Sequence, residues 1–207
     1  LSRWDEGCFD CDTSLFCPYE NEIIVDDEDE GFKVIKGKSL FFTRKWEGYQ
    51  RHILSPTSWS PVFNYDINSY GEFVRGFHCK GAGGKQADVE WNVRIPRSGT
   101  YEMYIYVGMF LNDWVQPLHR YTFYHDGLEE SIALNINGLS AGVKSVIYYV
   151  GKVPIELWTT PFNSRGGWVA AGIFQLTEGY VKLVLHDDGL KNNEVLMADA
   201  VKWVRIE

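Results

Sequence analysis

The clearest pattern in this sequence is a strict alternation of apolar and polar residues between positions 87 and 94. Ala87, Val89, Trp91 and Val93 form one set, and the residues between them form the other. A period of two predicts a β-strand with one face on a core and the other in water. Residues 95–100 contain Pro and Gly and predict a turn. Residues 101–107 predict the next strand, as a hairpin or as a corner between two sheets.

Similar runs predict further strands along the chain, at residues 23–25, 121–125, 130–136 and 168–176. Residues 137–167 form a longer excursion that includes an apolar run at 146–150. The closing stretch, residues 179–206, predicts two more strands joined by a loop rich in Asp, Asn and Gly. No long segment has the 3.6-residue period of an amphipathic helix. The pattern therefore predicts an all-β fold, a jelly-roll-like antiparallel β-sandwich with long loops and little helix.

One carboxylate, Asp199, stands inside the last apolar run. A buried charge costs several kcal/mol unless it is paired, coordinated or hydrogen-bonded. Backbone N–H groups, a basic side chain or a bound Ca²⁺ would each satisfy it. Because first and last strands often lie side by side in jelly-roll sandwiches, we expect Asp26, which opens an acidic run after the first strand, to lie near Asp199. The two residues are candidate ligands of a structural calcium, although an acidic run is also typical of a solvated loop.

Composition agrees with a strand-rich domain and excludes some functions. The chain has 207 residues, of which 15% are aromatic, and 20 Gly punctuate the apolar runs. Its formal net charge of -8 argues against binding to nucleic acid, which requires clustered Lys and Arg. No apolar run reaches the ~20 residues of a spanning helix, so we expect no membrane insertion.

Three of the four cysteines, Cys8, Cys11 and Cys17, crowd the first seventeen residues, and the fourth is Cys79. Disulfides in this lead would indicate an oxidising compartment. A zinc site that uses Cys79 or His78 as the fourth ligand, and free thiols, are the alternatives. We expect residues 1–21 to be a Cys-rich lead or linker, and residues 22–207 to be one domain.

Tryptophans in irregular segments are the candidate ligand-binding residues. A flat aromatic ring on a loop can stack on the C–H face of a sugar. The candidates are Trp46, Trp59, Trp114 and Trp158, while Trp91, Trp168 and Trp203 lie in strand patterns and are expected in the core. For each loop Trp, packing against the sheets is the competing interpretation.

Several ordered segments resemble the golvesin C-terminal-like domain, also described as xanthan-lyase carbohydrate-binding-like. They are residues 22–26 with Gly31 and Phe32, residues 98–105, 121–127, 167–174 and 198–204. The resemblance covers residues 22 to 206. It implies a non-catalytic, carbohydrate-binding-like β-sandwich attached to a larger secreted, periplasmic or surface protein of a bacterium. Its implied partners are a polysaccharide or glycan and other domains of that protein, and no cofactor is required.

Two other functions stay open. The loop aromatics would also suit a structural or protein-interaction module that docks or spaces its parent protein. A polysaccharide-active hydrolase or lyase is the third alternative. The sequence has a Gly-x-Ser-x-Gly run at residues 138–142, but a catalytic triad is a geometry that the residues alone do not establish. The acidic pair Asp88 and Glu90 lies on the wet face of one strand, so we expect no enzyme activity.

Overall fold

Antiparallel β-strands make up the computed structural model of the chain. It describes residues 21–36, 57–63, 70, 76–84, 86–108, 117–134, 145–150, 153–158, 167–187, 190–192 and 194–207. The strands are β1 (Glu22–Val25), β2 (Phe32–Lys36), β3 (Ser60–Phe63), β4 (Gly76–Gly81), β5 (Ala87–Ile95), β6 (Gly99–Val107), β7 (His119–His125), β8 (Leu128–Leu134), β9 (Ser145–Val150), β10 (Val153–Trp158), β11 (Gly167–Leu176), β12 (Gly179–His186), β13 (Val195–Ala198) and β14 (Val201–Arg205). No helix occurs in the described residues, so the prediction of an all-β sandwich is confirmed.

Three sheets build the sandwich. A four-stranded sheet has the order β1-β14-β6-β11, and a seven-stranded sheet has the order β10-β9-β8-β7-β12-β5-β2. Apolar faces of these two sheets form the main core, with Trp91 and Trp203 fully buried in it. A third, small sheet has the order β13-β4-β3 and its own cluster around Phe77 and Met197.

The alternation at residues 87–94 produces β5 as predicted, with a buried inner face, and the strand extends to Ile95, which was expected in the turn. The turn after it is a corner between sheets and not a hairpin, because β5 belongs to the seven-stranded sheet and β6 to the four-stranded one. At this corner the hydroxyl of Tyr101 donates to the carbonyl of Arg97 at 2.7 Å. Between β7 and β8, by contrast, a true hairpin forms. Asp126 and Gly127 both have positive φ, as a two-residue turn of this hand requires.

The first and last strands are neighbours, as predicted. β1 pairs with β14 in antiparallel register, with Val25 opposite Val201. The closing stretch contains three strands where two were expected, because β13 joins the small sheet before β14 enters the four-stranded one. Asp199 and Ala200 form the link between these sheets, and both are buried.

Candidate functional site

The residues that follow β1 and those that connect β13 to β14 bring three carboxylates together. Asp26, Asp27 and Asp199 each offer an oxygen atom, and these atoms lie within 4.8 Å of one another. We call this group the carboxylate cluster. Asp27 is 6% exposed and Asp199 is 2% exposed. The predicted proximity of Asp26 and Asp199 is therefore present, and Asp27 is a third member that the sequence did not single out.

Few groups in the described residues compensate the charge of the cluster. Nδ1 of His78, on β4, lies 2.7 Å from Oδ2 of Asp27. The backbone N–H of Tyr70 donates to both carboxylate oxygens of Asp199, at 3.1 and 3.3 Å. Oδ1 of Asp26 accepts the N–H of Asp27 at 2.8 Å. The other oxygen of Asp27, Oδ1, is buried without a hydrogen-bond partner.

Crowding of like charges away from water changes how these groups titrate. Burial first, and then the negative charge of Asp27, raise the pKa of Asp26 to about 8. Burial also raises the pKa of Asp199 well above its ordinary value, and the charges of Asp27 and Asp26 add to this effect. The cluster must therefore either retain protons or receive positive charge from a cation.

A second feature lies on the outer face of the four-stranded sheet. Tyr104 and Tyr106 of β6, Trp168 of β11 and Lys202 of β14 lie there side by side and half-buried, and we call this group the aromatic surface. The rings of Tyr106 and Trp168 meet edge to face, with centroids 5.2 Å apart. Nζ of Lys202 lies 4.8 Å from the centroid of Trp168 and 5.1 Å from that of Tyr104.

Polar and apolar groups border the aromatic surface. Lys202 also reaches Oε1 of Glu22 at 3.6 Å. Burial and a hydrogen bond to Glu102 raise the pKa of the Tyr104 hydroxyl. Ile173 of β11, opposite Glu102, adds an exposed apolar side chain. Aromatic rings and hydrogen-bonding groups thus lie together on this surface, with Nζ of Lys202 over the rings of Trp168 and Tyr104.

Tyr70 joins the two features. Its N–H binds Asp199, and its ring lies 5.2 Å from that of Trp168 and 5.7 Å from that of Tyr106, between centroids. The carboxylate cluster and the aromatic surface are thus separated by one residue.

The four tryptophans predicted to bind a ligand do not lie on the aromatic surface as far as the structure describes them. Trp59 is 8% exposed, packs in the main core and donates its indole N–H to the carbonyl of Ala87 at 2.6 Å. A buried indole offers no ring face to a sugar, so the expectation for Trp59 is wrong. Trp46 and Trp114 lie outside the described residues. Trp158 is the last residue of β10, a strand of which the structure describes the backbone but not the side chains. For these three the prediction stays a prediction.

The strand tryptophans were only partly predicted. Trp91 and Trp203 are in the core, as expected. Trp168 was expected there too, and this is wrong, since it lies on the outer face. The signal that was available is the alternation within β6, where Glu102, Tyr104 and Tyr106 share the side opposite Met103 and Ile105.

Cys79 is a free, buried cysteine in the small core cluster, and burial raises its pKa to about 12. Its neighbour His78 is paired with Asp27. Cys8, Cys11 and Cys17 lie outside the described residues, so the disulfides predicted for the lead stay a prediction.

One arrangement resembles a nucleophile, a base and an orienting acid. Nε2 of His186 lies 2.7 Å from the hydroxyl of Thr122, and its Nδ1 lies 2.9 Å from Oδ2 of Asp88. Thr122 is in β7, which pairs with β12 on one side and β8 on the other. Since the backbone amides of a central strand are used by its two ladders, the strand cannot supply the donors of an oxyanion hole.

Comparison with known proteins shows the fold. No protein-family model matches the chain, and no curated protein matches it. Among solved structures, a xanthan lyase from Paenibacillus matches with a TM-score of 0.54 and 18% identity, over 90% of this chain and 13% of that chain. At this identity the match supports a shared β-sandwich fold. This chain thus spans about an eighth of the length of that lyase.

Weaker likenesses extend to other solved structures. A GH26-CBM35 β-(1,4)-mannanase from Podospora anserina matches with a TM-score of 0.39 and 10% identity, over 90% of this chain and 28% of that chain. The K1 cleaved adhesin domain of Lys-gingipain from Porphyromonas gingivalis matches with a TM-score of 0.34 and 11% identity, over 89% of this chain and 95% of that one. The described part of the chain holds no helix with the length and apolar character to cross a membrane.

Proposed function

We propose that this chain is a non-catalytic, carbohydrate-binding-like accessory module of a larger secreted, periplasmic or surface bacterial protein, similar to the golvesin C-terminal-like domains. The observation that carries the proposal is the aromatic surface of Tyr104, Tyr106 and Trp168 on a sheet. Tyr104 and Tyr106 are on β6, which has a strand on each side, and Trp168 is on the edge strand β11, which pairs with β6. Residues in a paired strand are more rigid than loop residues. Their rings are therefore already in place before a ligand arrives, which lowers the entropy cost of binding.

The chemistry around these rings favours a sugar chain over a purely apolar ligand. Lys202 and Glu22 form a charged pair beside Trp168, and Glu102 lies next to Tyr104. Hydroxyl groups of a glycan can hydrogen-bond to such groups while its C–H faces contact the rings. The similarity in fold to part of a xanthan lyase supports a role as one module of a polysaccharide-processing protein.

A non-catalytic role is supported by the setting of the His186 group. Thr122 is 8% exposed and lies in mid-strand, between β12 and β8. We assign Asp88, His186 and Thr122 to a hydrogen-bonded link between β5, β12 and β7.

Binding to xanthan and to a panel of other soluble polysaccharides tests the proposal, by calorimetry and by affinity electrophoresis. We expect at least one polysaccharide to bind at millimolar concentration or tighter, with no release of new sugar ends. Trp168→Ala should weaken this binding by ~30-fold or more, the loss of about 2 kcal/mol typical of an aromatic hot spot.

Tyr180→Ala is the matched control, because Tyr180 is 65% exposed on the outer face of the other sheet. It should bind like the wild type. Trp114→Ala and Trp158→Ala test the loop candidates in the same assay. Absence of binding to every polysaccharide would refute the proposal and leave the structural or protein-interaction role, whereas new sugar ends would indicate the hydrolase or lyase.

A further inference from the structure

The carboxylate cluster is unusual because its charge is buried and poorly compensated. Asp27 and Asp199 are almost fully buried, and Asp26 is partly so. In the described residues no Lys or Arg forms an ion pair with any of the three, and His78 is the basic side chain in contact. Elsewhere in the same protein a buried carboxylate, Asp187, is paired with Lys80. The carboxylate cluster differs from this pair because it has no cationic Lys or Arg side chain among the described residues.

An independent observation also points to a ligand. Oδ1 of Asp27 is buried and has no hydrogen-bond partner, although its carboxyl group belongs to the cluster. An unpartnered carboxylate oxygen in the interior costs at least as much as a lost hydrogen bond, and more for a charged group. A metal ion between the three carboxylates would satisfy this oxygen.

The type of donor decides the class of metal. All three side chains provide oxygen atoms, which are the ligands of hard cations, and Ca²⁺ accepts several carboxylates at once. His78 faces the cluster through Oδ2 of Asp27, so it would orient that carboxylate and not bind the metal itself. Nitrogen and sulfur ligands, which zinc prefers, are not part of the cluster.

From these observations we infer that Asp26, Asp27 and Asp199 form a binding site for one divalent cation of the calcium class, which fastens the first strand to the last. Asp26 and Asp27 follow β1 directly, and Asp199 precedes β14, the strand that pairs with β1. A cation here adds a link at one end of that pair. The site also lies beside Tyr70, whose backbone N–H holds Asp199.

Titration of the chelator-treated 207-residue chain with CaCl₂ tests the inference, by calorimetry and by thermal unfolding. We expect one calcium ion per chain and a rise in Tm of ~5–10 °C at a hundredfold excess over Kd. Asp27→Asn and Asp199→Asn should each lose this calcium-dependent rise. Asp187→Asn, which removes a buried carboxylate outside the cluster, should lower Tm but retain the rise.

Two results would overturn the inference. One is a wild-type Tm that does not respond to millimolar calcium, together with no heat of binding. The other is a calcium-dependent rise that persists in both cluster variants, which would place the ion elsewhere. If one cluster variant fails to fold, the other variant and the number of calcium ions bound per wild-type chain still test whether the ion binds at the cluster. Retention of glycan binding in calcium-free protein would leave the proposed function intact, so the two proposals fail separately.

Discussion

The buried ion pair between Lys80 and Asp187 provides a quantitative test of how this fold handles charge. Lys80 is on β4, and Asp187 directly follows β12, so the pair connects the small sheet to the seven-stranded one. Both side chains are almost completely buried. Burial lowers the pKa of Lys80, and the negative charge of Asp88 opposes that effect. Asp187 also accepts the N–H of Ala87 at 2.9 Å, while its Oδ1 has no partner.

Substitution Lys80→Met removes the positive charge but keeps much of the apolar volume. It leaves the Asp187 carboxylate in the interior with one backbone N–H as compensation. Breaking a buried pair from one side costs about 3–5 kcal/mol, because the remaining charge is not solvated. We therefore expect the free energy of unfolding to fall by about that amount.

The double variant Lys80→Met/Asp187→Asn removes the remaining charge and retains an amide oxygen for the N–H of Ala87. We expect it to be more stable than Lys80→Met alone by about 2 kcal/mol or more, since an uncharged amide is far cheaper to bury than a carboxylate.

Urea unfolding of the wild type, both single variants and the double variant gives the coupling energy, provided that the slopes agree. A loss below about 1 kcal/mol in Lys80→Met would refute the reasoning, because a surface ion pair contributes no more than that. A double variant no more stable than Lys80→Met would show that the buried charge is not the cause.

Three further predictions concern single residues. Burial lowers the pKa of His119 to about 3 from 6.5, so the unfolded chain takes up this proton first and the folded state loses stability as pH falls from 6.5 towards 3. The free energy of unfolding of the wild type relative to that of His119→Gln should therefore fall by about 2 kcal/mol between pH 7 and pH 5, as measured by urea titration. An unchanged difference between the two proteins would contradict this prediction. Gly84 has a φ of +73°, and a Cβ there would overlap the carbonyl oxygen of Thr57. Gly84→Ala should therefore lower Tm more than Gly127→Ala, whose site is open, and an equal loss would argue against the overlap. Because burial raises the pKa of Cys79 to about 12, native protein should protect this thiol from iodoacetamide until it unfolds, as peptide mass mapping would show; rapid native labelling would contradict its burial.

The strands of this fold could be predicted because their patterns are local. Alternation places Val89, Trp91 and Val93 on one side of β5 whatever the rest of the chain does. The pairing of β1 with β14 followed from the general topology of such sandwiches. Whether residues 95–100 form a hairpin or a corner could not be decided, because both use the same turn residues, and only the partner strands distinguish them.

The candidate site was harder to predict, for different physical reasons. Asp26 and Asp199 stood out because a carboxylate beside an apolar strand is costly. Asp27 and His78 did not, since their roles depend on β4 passing close to the end of β1. Trp59 directly precedes β3 and lies beside the start of β5, where its indole N–H donates to the carbonyl of Ala87. Tyr106 and Trp168 were hidden for the opposite reason, because aromatic residues in strands usually face a core.

Asp199 is held in place by groups that have little to do with its charge. Its backbone carbonyl accepts the indole N–H of Trp91 at 2.9 Å, and the carbonyl of the next residue, Ala200, accepts the N–H of Tyr106 at 2.8 Å. The backbone of the link between β13 and β14 is therefore fixed by bonds to the core and to the sheet, and the side chain of Asp199 starts from a buried position. Its charge is compensated in part by the backbone N–H groups of Tyr70 and Ala200, and the rest requires a proton or a cation. Replacing Asp199 disturbs the cluster together with the position of Tyr70, whereas Asp27→Asn changes the cluster and its contact with His78. Loss of calcium binding in Asp27→Asn, with Trp168 and its glycan contacts unchanged, would therefore identify the cation as a fastening of the terminal strands and not as part of the aromatic surface.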